Sequence, residues 1–385
     1  MIEPRSNLSH EGVDKREAPE FFPALDGLRA MAAFFVLLTH AGFLTATYSL
    51  GAVGAVLARM DIGVAIFFCL SGFLLSRPYL AAELSQRPRP SLRRYGWHRA
   101  IRILPAYWVA LTVVLLTLAR GVPADVLMSN VTLTQVYTND ELPGFTQTWS
   151  LCTEVAFYAL LPLIAPWIFR SAARSTTMLA IRLCCIGGIA FFWIVAVVGD
   201  FLPLGAYAAQ WLPGHLDWFA AGMLVAVAER VIAQSSSLAG HLRDLLQSPG
   251  SLLALAFGLW GIVCTPLGGP LYLEPTTAWQ AVFKEAIYAA VAFTLVATLA
   301  LGSTRSPVVA PFAHRLARSL GRVSYGFFLW HLLIMHGIFN ALGLNFFSGD
   351  FVVVTVATVV VSLAVSYASW IVVERPLMRR AQMRA

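Results

Sequence analysis

Residues 25–40 read "LDGLRAMAAFFVLLTH", an apolar run with an arginine near one end and a histidine at the other. Either group is costly in hydrocarbon, so each needs a partner or a task. His40 follows Arg29 by eleven positions. At about 100° per residue that is three turns plus about 20°, so both side chains share one helix face. Other stretches also put reactive groups among apolar neighbours: Ser71 and Gly72 in "FFCLSGFLLSRPY", Glu154 in "WSLCTEVAFYALLP", Tyr325 and His331 in "GRVSYGFFLWHLLIMH". A histidine can take the proton of a hydroxyl, and a carboxylate can orient its ring and stabilise the imidazolium. A fifth stretch, "RPRPSLRRYGWHRAIRILPAYW", holds Arg87, Arg89, Arg93, Arg94, Arg99 and Arg102. Arg99 and Arg102, three apart, point the same way on a helix and could bind phosphates bidentately. Each residue also has a plainer reading. Intramembrane charges form structural ion pairs, buried histidines hydrogen-bond across helices, Ser-Gly pairs let helices pack closely, and arginines set topology.

The elements that must hold these groups are helices in a membrane. Of 385 residues 58% are apolar and only 12% charged, and the mean hydropathy is +0.71. Soluble domains carry about 25% charged residues. Repeated apolar runs of about 20 residues predict an all-α polytopic membrane protein with about ten spans in one bundle. They fall near 25–46, 61–80, 101–119, 149–169, 179–198, 212–228, 251–265, 282–301, 320–340 and 351–373. No internal repeat or second domain is apparent. Residues 1–20, polar and charged, read as a disordered cytoplasmic tail with no cleavable leader; 21–377 form the membrane domain and 378–385 a short cytoplasmic tail.

The net charge of +7 does not imply nucleic-acid binding, because the arginines cluster in loops between apolar runs. With the N-terminus inside, 23 of the 27 Lys and Arg fall in cytoplasmic segments and two, Arg59 and Arg120, in outer loops; Arg29 and Lys284 lie in spans. Such a bias predicts both termini in the cytoplasm of a multi-pass protein. Five cysteines, Cys69, Cys152, Cys184, Cys185 and Cys264, all fall in apolar segments and show no metal-ligand spacing. They read as small buried hydrophobes, so neither a metal site nor a permanently bound cofactor is expected.

Orientation turns position into depth, at about 1.5 Å per residue across about 30 Å of hydrocarbon. Arg29 lies about 6 Å in from the cytoplasmic face and His40 about 22 Å in. Glu154, on a span entering from outside at Trp149, lies about 7–8 Å below the outer face, at the level of His40. A His40–Glu154 pair is therefore expected. Ser71 and His331 fall about 15 and 16 Å deep, so His40 and His331 are expected about 6 Å apart in height. His215 and Asp217, in "PGHLDWF", sit near the outer mouth with Trp149. The arrangement is a polar column with arginines at its cytoplasmic end. It suits a phosphate-bearing cytoplasmic molecule whose long arm reaches a reactive centre near the outer face. These residues alone leave open whether a group is transferred or a whole molecule, such as a lipid-linked sugar, is transported. The absent inverted repeat weighs against a transporter. An intramembrane protease fits poorly with ten spans and no G-x-S pattern. A haem protein is disfavoured by the lack of paired histidines on one helix.

Taken in order, "LDGLRAMAAFFVLLTH", "IGVAIFFCLSGFLLSRP", "HRAIRILPAYW", "WSLCTEVAFY", "GRVSYGFFLWH" and "VERP" resemble the acyltransferase-3 family of integral membrane O-acyltransferases over about residues 21–377. The resemblance implies transfer of an acyl group, acetyl or else succinyl or another, from cytoplasmic acyl-CoA to a hydroxyl. Acceptors would be carbohydrates or glycolipids of the cell envelope at the plasma (inner) membrane, or secondary-metabolite sugars. It marks Arg29, His40, Arg99 and Arg102 as functionally important. On this reading His40, Glu154 and Arg29 are catalytic. Arg99, Arg102, Arg93, Arg94, Ser71, His331 and Tyr325 handle the donor, and Trp149, His215 and Asp217 meet the acceptor. Since no appended hydrolase-like domain is read in this sequence, spans and outer loops would have to recognise the acceptor. A covalent acyl-His40 or acyl-Ser71 stays open, as do the acyl group, the acceptor and the oligomeric state.

Overall fold

In lipid every backbone N–H and C=O must be satisfied within the chain, which leaves long apolar segments the choice of helix or closed barrel. These segments take the helix. A computed structural model describes residues 22–170, 175–233, 237–271 and 274–383, and among them it contains no strand. The segments expected as N-terminal tail and as the last two residues of the C-terminal tail lie outside the described residues.

Ten helices correspond to the ten expected spans: α1 (Pro23–Leu44), α2 (Ile62–Leu84), α3 (Leu92–Thr117), α4 (Trp149–Ile168), α5 (Thr176–Val198), α6 (Leu216–Ile232), α7 (Pro249–Val263), α8 (Ala278–Leu301), α9 (Arg315–Leu342) and α10 (Phe351–Ser369). Among the described residues eight helical segments are long and apolar enough to cross a membrane alone. The other two are the shorter cases. α6 has 17 residues, and α7 is preceded by Leu238–Leu246, bent from it by 80° where Pro249 opens the new helix. Two starts differ from expectation in ways that matter below. α3 begins at Leu92 and α9 at Arg315, each several residues early, because polar and basic residues continue the helical turns beyond the apolar stretch.

Burial runs opposite to that of a soluble protein. On α10, Thr355, Thr358, Ser362 and Ser366 are buried while Val352, Val353, Val356 and Val360 are exposed. Hydrocarbon solvates valine as well as a protein core does, so small polar residues go to the helix interface and valines to the lipid. Cys184 and Cys185 are likewise exposed on α5 rather than buried. The apolar window of Gly51–Leu84, which contains α2, is 72% buried; that of Phe351–Ala381, which contains α10, is 28%. α2 is thus central, touching α1, α4, α6 and α8, whereas α1 also packs along α9. Gly72 and Gly222 let α2 and α6 touch backbone to backbone. A Cβ at either would overlap a carbonyl of the other helix, Phe219 or Cys69.

Candidate active site

Two cavities flank α2. The first, about 160 Å³, lies between α1, α2, α3, α4 and α9 and is lined by Arg29, Arg99, Arg102, Ser71, Glu154, Tyr158 and Tyr325, among others. Several of its polar groups are paired within the chain, while the buried Nε of Arg99 has no hydrogen-bond partner. The hydroxyls of Ser71 and Tyr158 both donate to Glu154 Oε1, Tyr158 at 2.6 Å. Tyr158 follows Glu154 by one helical turn, so the two share a face of α4. Arg29 Nη1 pairs with Asp26 Oδ1 at 3.2 Å. The Tyr325 hydroxyl donates to the Ile103 carbonyl at 2.9 Å, fixing α9 against α3. Arg99 lies over the Tyr158 ring at 5.8 Å. The early start of α3 carries Arg93 and Arg94 out onto an exposed turn, away from this cavity.

The second cavity is larger, about 700 Å³, and lies toward the other end of the bundle. His40, Trp149, His215, Trp218, Arg59, Asp61, Lys284 and Glu285 line it, with the connection that follows α7. Arg59 braces that connection, donating to the carbonyls of Val263 (3.0 Å), Gly269 (2.5 Å) and Pro270 (3.2 Å). Lys284 Nζ donates to Asp61 Oδ2 at 2.5 Å, and the Tyr288 hydroxyl donates to Asp61 Oδ1. Asp217 is buried at the start of α6 and does not reach the pocket.

Aromatic rings separate the cavities. Phe67, Phe68 and Phe328 line the smaller one. Phe68 packs against Trp149 (6.4 Å) and His215 (5.7 Å) of the larger, and Phe328 against His331 (6.1 Å).

The expected His40–Glu154 pair is not formed. Height along a bundle does not specify a neighbour: His40 faces α9, while Glu154 on α4 faces Ser71 of α2. His40 Nδ1 lies 2.7 Å from the Val36 carbonyl and 3.2 Å from His331 Nε2. His331 Nδ1 lies 2.7 Å from the Phe328 carbonyl. A carbonyl only accepts, so each Nδ1 carries the hydrogen. His331 Nε2 is then an acceptor facing His40 Nδ1–H, and His40 Nε2 is the nitrogen left to take a proton. His331, expected on the donor path and 6 Å from the level of His40, is instead fully buried and orients it. The early start of α9 explains this: His331 is 16 residues into α9 and His40 17 into α1, so the parallel helices bring them level.

Several lining residues were not anticipated from the sequence. Lys284-Glu285 was the available signal, a charged pair inside an apolar run. Tyr158, one turn after Glu154, was another. The bracing role of Arg59 had no signal, because its partners are backbone atoms more than 200 residues away.

The family model described as an acyltransferase domain, of the acyltransferase-3 type, matches residues 22–371. Relatives include the acyltransferase MdmB of Streptomyces mycarofaciens, 29% identical over 51% of this chain and 52% of that protein. The O-acetyltransferase OatA of Staphylococcus aureus is 27% identical over 40% of this chain and 26% of its own length. A putative membrane-bound transacylase, BcsY of Komagataeibacter xylinus, is 26% identical over 45% and 46%. The chain thus spans about half the length of these relatives, or less. No solved structure gives a significant match. With a match across nearly all the described helices, the chain belongs to the acyltransferase-3 family.

Proposed function

We propose that this protein is an acyl-CoA-dependent O-acyltransferase of the plasma (inner) membrane that acylates a hydroxyl of an envelope carbohydrate or glycolipid. The observation that carries the reading is the state of His40, whose Nδ1–H is held by the Val36 carbonyl and His331 so that Nε2 is the basic atom of a pocket large enough for a sugar. The charge bias of the loops supports placing both termini and the arginine-lined cavity on the cytoplasmic side. That cavity is smaller than the usual ligand pocket of about 300–1,000 Å³. It suits the narrow pantetheine arm, with the nucleotide phosphates outside against Arg99 and Arg102. Acetyl is the favoured group, supported by the resemblance to an O-acetyltransferase.

In the reaction, the acyl group crosses the aromatic layer of Phe67, Phe68 and Phe328. His40 Nε2 takes the proton of the acceptor hydroxyl, and the oxygen attacks the thioester carbonyl. The C–S bond breaks, and the departing CoA thiolate takes the proton back from the imidazolium, so no net proton is consumed. General-base help of this kind is worth about 10²–10⁴-fold. Glu154, held by Ser71 and Tyr158, lines the same cavity as Arg29, Arg99 and Arg102 and would balance part of their charge.

The test uses purified protein in nanodiscs with radiolabelled acetyl-CoA or succinyl-CoA, with and without envelope-glycan extract. CoA release and label transfer that vanish in a folded His40→Ala variant support acyl transfer centred on His40. The responding donor names the acyl group. No release with either donor, and identical behaviour in the variant, would move the reading to transport of a lipid-linked sugar.

A further inference from the structure

The large pocket contains a second histidine beside a carboxylate. His215 closes a short turn, Leu212–His215, immediately before α6 and is 5% exposed. Its ring stacks on Trp218 at 4.4 Å and leans on Trp149 at 5.4 Å. Its Nδ1 lies 3.5 Å from Glu285 Oε2, long for a hydrogen bond. Glu285 is 9% exposed. Neither nitrogen of His215 nor Oε2 of Glu285 has a hydrogen-bond partner. Buried polar atoms are nearly always satisfied, so orphans lining a pocket mark where a ligand supplies the missing half.

The surrounding charges say what that ligand brings. Lys284, next to Glu285, is committed to Asp61, which also receives the Tyr288 hydroxyl. Arg59 is committed to three carbonyls. What remains is a Glu285 carboxyl oxygen, and an imidazole that in its neutral form donates at one nitrogen and accepts at the other. A hydroxyl both donates and accepts and so fits between them. The indoles of Trp149 and Trp218 offer flat apolar faces, suited to the C–H face of a sugar ring. His40 lines the same pocket.

We propose that His215 and Glu285 form an acceptor-orienting site that binds a second hydroxyl of a pyranose ring and so decides which hydroxyl reaches His40. The proposal rests on the acyltransferase reading for its consequence, regioselectivity, but not for its first step, sugar binding. His215 and Glu285 both touch the acceptor, and neither takes part in proton transfer.

The experiment uses the full chain in nanodiscs, wild type against His215→Gln, Glu285→Gln and the milder Glu285→Asp, each checked for monodispersity. Saturation-transfer NMR with methyl N-acetyl-β-D-glucosaminide and with glycan oligosaccharides reads sugar binding without turnover. Acetyl transfer from acetyl-CoA, with the product mapped by NMR, reads KM and position. The expected result is a loss of about tenfold or more in sugar affinity for both Gln variants, from a hydrogen bond to a charged or buried partner. Acetyl then spreads over more than one hydroxyl, KM for acetyl-CoA stays put, and Glu285→Asp recovers part of the affinity. Wild-type sugar binding that the Gln variants lose, without any CoA release, would uphold this site while removing the acyltransferase reading. Unchanged affinity and a single acetyl position in both Gln variants would overturn it. So would acceptor and donor KM rising together, or no sugar binding by the wild type.

Discussion

The two cavities differ in how they are built. The arginine-lined cavity is framed by transmembrane helices, and apart from the unpartnered Nε of Arg99 most of its polar groups are paired within the chain: Ser71 and Tyr158 on Glu154, Asp26 on Arg29, Tyr325 on a carbonyl of α3. The large pocket is framed by helix ends and a connection, and among its buried groups both nitrogens of His215 and Oε2 of Glu285 lack hydrogen-bond partners. A prepaired cavity is stiff and suits one repeated shape, such as a pantetheine arm. An unpaired one waits for the ligand to complete it, and its rim can change without disturbing the bundle. On this contrast the donor side should be constant across relatives of different specificity and the acceptor side variable.

Substitutions can break or sharpen that contrast. The largest effect belongs to the proposed base in the large pocket: His40→Ala should lower transfer by about 10²–10⁴-fold with both KM values little changed, read by label transfer at saturation. Next come Arg99→Ala and Arg102→Ala, which should raise KM for acyl-CoA by about tenfold or more without moving the acceptor KM. Lys should substitute poorly, because it lacks the planar fork. If either variant shifted acceptor KM instead, the division of labour between the cavities would fail. His331→Phe keeps an aromatic ring but removes the acceptor facing His40 Nδ1. It should cost about tenfold in kcat, a modest fraction of the general-base term, with KM for both substrates preserved. Lys284→Ala frees Asp61 and should raise acceptor KM by a few-fold, consistent with the modest worth of a partly exposed ion pair. Smallest of all, Arg93→Ala and Arg94→Ala should leave donor KM within about twofold, since both lie on an exposed turn away from the cavity. A large effect there would mean that the nucleotide end of the donor extends further out than Arg99.

How much of this was readable from the sequence follows from what sequence encodes. Hydropathy marked all ten helices, most clearly the eight segments whose length and composition suit a membrane span. The small cavity was largely readable, since Arg29, Ser71, Arg99, Arg102, Glu154 and Tyr325 are out-of-place residue types in apolar runs and all line it. Pairing was harder. Counting residues from the start of an apolar run placed His331 at the wrong level, because α9 starts in the basic segment before that run. Depth also carries no lateral information, so Glu154 was matched to His40 although the two helices present those groups to different neighbours. The large pocket was least readable. Its wall is held by the Arg59 guanidinium on distant carbonyls, and backbone atoms leave no mark in residue types.

The glycine contact between α2 and α6 has a consequence for motion. Gly72 and Gly222 bring the two backbones together, and Arg77 of α2 is tied to Glu229 of α6 by two hydrogen bonds of 2.7 and 2.6 Å. The pair cannot slide without breaking a close fit along its length, so it behaves as a fixed post. Ser71 hangs from one side of that post, and His215 sits at the end of the other. Any backbone movement that widens the arginine-lined cavity is therefore expected in the other helices that frame it, α1, α3, α4 and α9, against a stationary α2–α6. In hydrogen exchange, amides of α2 and α6 should be the last in the protein to label, whatever occupies either cavity.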